Sequence, residues 1–127
     1  MSEKNKETVR KVNDAFLENN FEGFLDFCAD DVQWTIVGDR SVNGKETIRQ
    51  WMSEMAKENP EPPKFSVIDP VIAEGDFVAM QARGKSTTKT GKSYNNTYCQ
   101  VFRIVNGKVQ QVTEYLDTEL VTAAFGK

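Results

Sequence analysis

Histidine is absent from all 127 residues, and that absence removes more chemistry than any single residue present supplies. Without imidazole there is no Ser-His-Asp or Cys-His catalysis, no histidine-containing zinc site, and no side chain whose unperturbed pKa lies near neutrality. Acid-base work falls to a carboxylate, tyrosine, lysine or cysteine. Such a group needs surroundings that shift its pKa, which means a secluded pocket. Cysteine is scarce too: Cys28 and Cys99 stand far apart and form no CxxC pair, so reduced thiols are expected and neither a disulfide framework nor a metal site is. No run is long and apolar enough to span a bilayer, and the charged opening MSEKNKETVRK has none of the apolar stretch of a secretory signal. A cytoplasmic protein without a membrane partner is expected. A net charge of −3 leaves no basic footprint for nucleic acid.

The residues that are present pattern into short, well-punctuated elements. From Glu3 to Asn20, Val9, Val12, Phe16 and Leu17 recur at helical spacing, which predicts an amphipathic helix. A shorter helix follows with Phe21, Phe24, Leu25 and Cys28 on one side, and Asp30-Asp31 mark the exit into the strand Val32–Val37. GDRSVNG, Gly38 to Gly44, reads as a turn-rich loop, with Asn43 as cap of a third helix that buries Ile48, Trp51, Met52 and Met55. NPEPP, Asn59 to Pro63, forbids further helix. Strands then run over Phe65–Ala73, Asp76–Lys85, Ser93–Val105 and Lys108–Asp117. Asn106-Gly107 is a strong hairpin turn, because both central positions tolerate positive φ. The pattern DTELVTAAF closes the chain with a short helix. The expected class is α+β, one domain over residues 1–127, in the order ααβαββββ plus that last helix.

In this order, FCADDVQW, NGKETIRQW, EGDFVAM and TGKSYNNTYCQVFRIVNGKVQQVTEYLDTEL make the chain resemble the nuclear transport factor 2-like superfamily, and within it the SnoaL-like and ketosteroid-isomerase-like proteins. The resemblance implies a curved antiparallel sheet wrapped by N-terminal helices into a cone around a pocket. It further implies a small apolar or polycyclic ligand, no cofactor or metal, and homodimers formed through the outer sheet face. In the limonene-epoxide-hydrolase-like branch the carboxylate matching Asp117 points inward, and strand parity then puts Thr113 and Tyr115 on its face. Matching the other strands to the family places Trp34, Ile36, Gln81, Arg83, Tyr98, Gln100 and Phe102 inside.

Two recognised catalytic sets are replaced here. The epoxide hydrolase's water-holding Tyr and Asn fall on Trp34 and Ile36, and its Arg-x-Asp falls on Gln81 to Arg83. The ketosteroid isomerase's tyrosine, base and protonated aspartate fall on Val12, Ile36 and Gln100. What the resemblance leaves is a cyclase-like arrangement with Asp117 as general acid-base and Arg83 as its electrostatic partner. The alternatives are a non-catalytic ligand binder and a dimeric interaction module. Asp117 has a plain structural reading as well, as N-cap of the last helix.

Overall fold

The computed structural model describes residues 2–18, 20–58 and 64–125; the proline run at 59–63 lies outside them. The elements are α1 (Ser2–Leu17), α2 (Phe21–Asp26), β1 (Cys28–Ile36), β2 (Arg40–Asn43), α3 (Lys45–Glu58), β3 (Lys64–Glu74), β4 (Phe77–Thr87), β5 (Ser93–Val105), β6 (Lys108–Leu116) and α4 (Thr118–Phe125). Asn20 caps α2 by accepting the Gly23 amide at 2.9 Å. The β5–β6 turn has Asn106 and Gly107 at φ 52 and 76, the left-handed conformation expected of that pair.

Six strands form one sheet in the order β2-β1-β6-β5-β4-β3, with β2 and β3 as open edges. Every pair is antiparallel except β1 with β6, which is parallel. The sheet is therefore mixed and curved, where a wholly antiparallel one is expected from the resemblance. The reason is topological: after β1 the chain turns into β2 and α3, and β6 comes back beside β1 only at the end of the meander.

Three local expectations also shift. β1 starts at Cys28, whose side chain is buried as those of Val32 and Trp34 are, and the register shifts between Cys28 and Gln33; Asp30 and Asp31 are exposed residues within this strand and not a helix exit. Residues 40–43 of the expected loop pair with β1, Trp34 opposite Val42. The start of α3 is set by Gly44, whose carbonyl accepts the Ile48 amide at 3.0 Å and whose φ of 92 suits glycine; Asn43 is the last residue of β2.

The helices cover the concave face. Val9 and Val12 of α1, Phe24 and Leu25 of α2, and Ile48 of α3 pack with Val78, Met80, Phe102, Ile104 and Val112 of the sheet, all at most 1–2% exposed. Burying such side chains is the main favourable contribution to folding, roughly 1.5–3 kcal/mol each. Among the described residues no helix is long and apolar enough to cross a membrane.

Candidate functional site

Along each strand the inward-facing residues change character from one end of the sheet to the other. On β4 the row runs Val78, Met80, Ala82, Gly84, shrinking from Met80 onward, while its register partners on β5 are Phe102, Gln100, Tyr98 and Asn96. On β6 the same rows hold Val112, Glu114 and Leu116. One end is thus packed solid. The other, where small residues face the helices, encloses a cavity of about 830 Å³. Gly84 is part of the reason: a Cβ there would stand 2.9 Å from the Phe65 ring and 3.0 Å from that of Tyr98, the two rings that pack edge to face beside it.

The wall is mostly apolar, with Phe16, Trp34 and Trp51 in successive edge-to-face contacts. Apart from Glu114, its charged residues Asp39, Arg40, Glu54, Lys57 and Lys85 are all exposed and belong to the rim. Among the described residues one acid lies inside. Glu114 is only 9% exposed, and the Gln100 amide Nε2 donates to its Oε2 at 2.6 Å. Burial pushes its carboxyl up to about 7, and the Gln100 hydrogen bond offsets part of that rise. No cation pairs with Glu114 among the described residues. The carboxyl is thus shared between acid and base forms near neutrality without a histidine anywhere in the chain.

Three further polar groups belong to this region. Tyr98 donates to the Tyr94 hydroxyl at 3.4 Å, and burial holds its phenol well above the ordinary range. Asn13, on α1, is 7% exposed and lies on the cavity wall; its side chain makes no hydrogen bond within the described residues. Trp34 Nε1 is buried without a hydrogen-bond partner among the described residues. No group of three or more metal-ligating side chains occurs among the described residues.

The residues singled out from sequence divide between the two sheet faces. Trp34, Ile36, Tyr98 and Gln100 lie on the cavity wall. Phe102 is inward but belongs to the packed core, 1% exposed. Gln81, Arg83 and Tyr115 point the other way and are exposed, since the inward set of β4 is Val78, Met80, Ala82 and Gly84 and that of β6 is Val112, Glu114 and Leu116. Asp117 is exposed and ends the parity argument altogether: its Oδ1 accepts the amides of Glu119 at 2.9 Å and Leu120 at 3.3 Å, the geometry of a helix N-cap. The Arg83–Asp117 ion pair is not formed.

Asn96 fixes this corner. Its Nδ2 donates to the Asp117 carbonyl at 3.0 Å and its Oδ1 accepts the Asp117 amide at 3.2 Å. Tyr94 packs edge to face on Phe125 of α4, which brings Val121 and Phe125 to the cavity wall. Glu114 and Asn13 had readable signals: a glutamate between Val112 and Leu116 in strict alternation, and an asparagine inside the Val9, Val12, Phe16 stripe.

The family model of the SnoaL-like domain matches residues 9–112. No curated protein matches the sequence. Among solved structures, a nuclear transport factor 2-like protein of unknown function from Burkholderia pseudomallei K96243 superposes with a TM-score of 0.89 at 22% identity, covering 100% of both chains. TerC, co-crystallised with polyporic acid, gives 0.85 at 16% identity over 98% of this chain and 99% of its own. A candidate SnoaL-like polyketide cyclase from Jannaschia sp. CCS1 gives 0.84 at 19% identity, over 97% and 92%. At these identities the likeness is one of fold, and chemistry has to be argued from the site.

Proposed function

Because the chain belongs to the SnoaL-like domain family, we propose that it binds a small, largely apolar cyclic molecule in the cone cavity and catalyses a proton transfer on it, of isomerase or cyclase type, through Glu114. The observation that carries this reading is the Glu114 carboxyl: buried in the cavity wall, held by the Gln100 amide, and pushed up to about 7 by that burial. A cavity with an apolar wall and few convergent polar groups is the usual form of a small-molecule site. TerC, which shares this fold, was co-crystallised with polyporic acid.

The chemistry follows from the carboxyl's position. As carboxylate, Glu114 takes a proton from a carbon beside a carbonyl; the C–H electron pair moves into the carbon framework and its charge onto the carbonyl oxygen. As acid, it returns the proton to that carbon or a conjugated one. Gln100 fixes the carboxyl's orientation through its N–H, and Trp34, Ile36 and Tyr98 shape the space beside it. A lone positioned acid-base contributes about 10²- to 10⁴-fold, sufficient where the substrate already acidifies its C–H bond.

Deuterium exchange at the α-carbon of 1-tetralone in D₂O, followed by NMR, tests this. The protein is expected to accelerate exchange, Glu114→Gln to lose that acceleration by about 10²-fold or more, and Asp117→Asn to keep it. Full activity in Glu114→Gln removes the catalytic assignment. Binding of the ketone without exchange in the native protein leaves a non-catalytic binder. The proposal includes a homodimer through the convex sheet face, supported by the exposure there of Ile72, Phe77 and Tyr115.

A further inference from the structure

The inner stripe of α1 runs Val9, Val12, Asn13, Phe16, the i, i+3, i+4, i+7 positions of one helix face. Three of them do what that spacing predicts: Val9 and Val12 are fully buried, and Phe16 packs on Phe24 and Trp34. The fourth is a carboxamide. Helix propensity gives no reason for it, since Asn ranks well below Leu or Met inside a helix. Packing gives none either, since an apolar residue of that size suits the stripe better.

From this we infer that Asn13 is a ligand-anchoring residue, its carboxamide holding a carbonyl or hydroxyl oxygen of the molecule in the cavity; the inference rests on the proposed use of the cavity as a ligand site. Asn13 is 7% exposed, sits on the cavity wall, and has no side-chain hydrogen bond among the described residues. Cavity water can serve such an amide in the free protein, but an apolar ligand that fills the space strips that water and leaves a buried donor and acceptor unmatched. A ligand oxygen placed at the amide removes the mismatch.

The group it takes is uncharged. Among the described residues, the cationic wall residues Arg40, Lys57 and Lys85 stand exposed at the rim, and the wall's other charge-bearing groups, Asp39, Glu54 and the buried Glu114, are acids, so an anionic group beside Asn13 would have no counterion there. A ketone or hydroxyl is what a carboxamide discriminates from bare hydrocarbon, because the hydrocarbon leaves the amide unpaired. Asn13 therefore selects oxygenated ring systems over equally bulky apolar ones and fixes which end of the ligand faces α1.

Affinities of 1-tetralone and of its hydrocarbon counterpart tetralin for the native protein and for Asn13→Leu, measured by titration calorimetry or ligand-observed NMR, test the inference. The native protein is expected to prefer the ketone. In Asn13→Leu the ketone's affinity falls about five- to tenfold, tetralin binds at least as well as before, and the melting temperature of the free variant does not drop. If both probes bind the variant as they bind the native protein, the anchor is wrong while the cavity reading stands. If neither probe binds the native protein, the cavity reading fails and the anchor with it. A lower melting temperature in both Asn13→Leu and Asn13→Ala, with the ketone preference intact, makes Asn13 a structural residue and overturns the inference. Asn13→Ala gives the same affinity readout should leucine prevent folding.

Discussion

Glu114 and Asp117 lie three residues apart, one on β6 and one just past its end, and they have different tasks. Glu114 faces the cavity with one amide partner, while Asp117 stands outside and caps α4. The raised Glu114 carboxyl makes stability depend on pH with a definite sign. Below the ordinary carboxylate range both folded and unfolded chains hold the proton and there is no penalty. Between 4.5 and about 7 the unfolded chain ionises first, so stability falls as pH rises; above 7 the penalty is complete, on the order of 3 kcal/mol. Glu114→Gln keeps an amide-compatible shape without the charge. Its melting temperature is expected to exceed that of the native protein at about pH 8 and to approach it at about pH 4; equal gaps at both would show that Glu114 is not held near neutrality. Asp117→Ala should instead cost about 1 kcal/mol by loss of the cap, with tetralone exchange retained. The inward acid was legible in the alternation of Val112, Glu114 and Leu116. Fixing the face from the family carboxylate at Asp117 reverses that parity, because at Asp117 the strand has already ended.

Helices and long strands are set by periodicity over many residues, and they fall where the apolar spacing of α1, α3 and β4 to β6 puts them. β2 has four residues, of which only Val42 is apolar, so nothing local distinguishes it from a loop; pairing with β1 makes it a strand. The parallel β1–β6 contact joins segments some eighty residues apart and has no local signature at all. β4 shows how an element makes the cavity: its inward row tapers from Met80 to Ala82 to Gly84, and the space given up is the ligand space. Gly84→Ala puts a methyl 2.9 Å from the Phe65 ring and 3.0 Å from Tyr98. The rings have to move, at a cost of about 1–3 kcal/mol, and the wall beside Gln100 moves with them. Thermal melting should show the loss of stability and 1-tetralone titration a weaker complex; a variant that matches the native protein in both would mean that the ring pair adjusts freely and does not shape the site.

At the scale of the whole molecule the two sheet faces carry different chemistry. Helices cover the concave face, and none of the described elements covers the convex one, although that face is not purely polar. Ile72 is 59% exposed, Phe77 and Tyr115 are each 49% exposed, and the less exposed Ala79, Cys99 and Val101 fill rows between them. Arg83, Arg103 and Glu74 surround these apolar residues, an arrangement of apolar centre and charged rim that suits self-association. Gln81, Arg83 and Tyr115 then belong to the proposed dimer face and not to the cavity. In a two-fold contact each substituted residue appears on both partners, so a charge placed at its centre is repeated across the interface. The double variant Ile72→Glu, Tyr115→Glu is expected to sediment as a monomer at concentrations where the native protein sediments as a dimer, and its 1-tetralone affinity should hold because neither side chain reaches the cavity wall. A native protein that is monomeric throughout, or a double variant that still dimerises, would locate the contact elsewhere or remove it. Loss of ketone binding along with the dimer would instead tie the cavity's shape to the partner subunit.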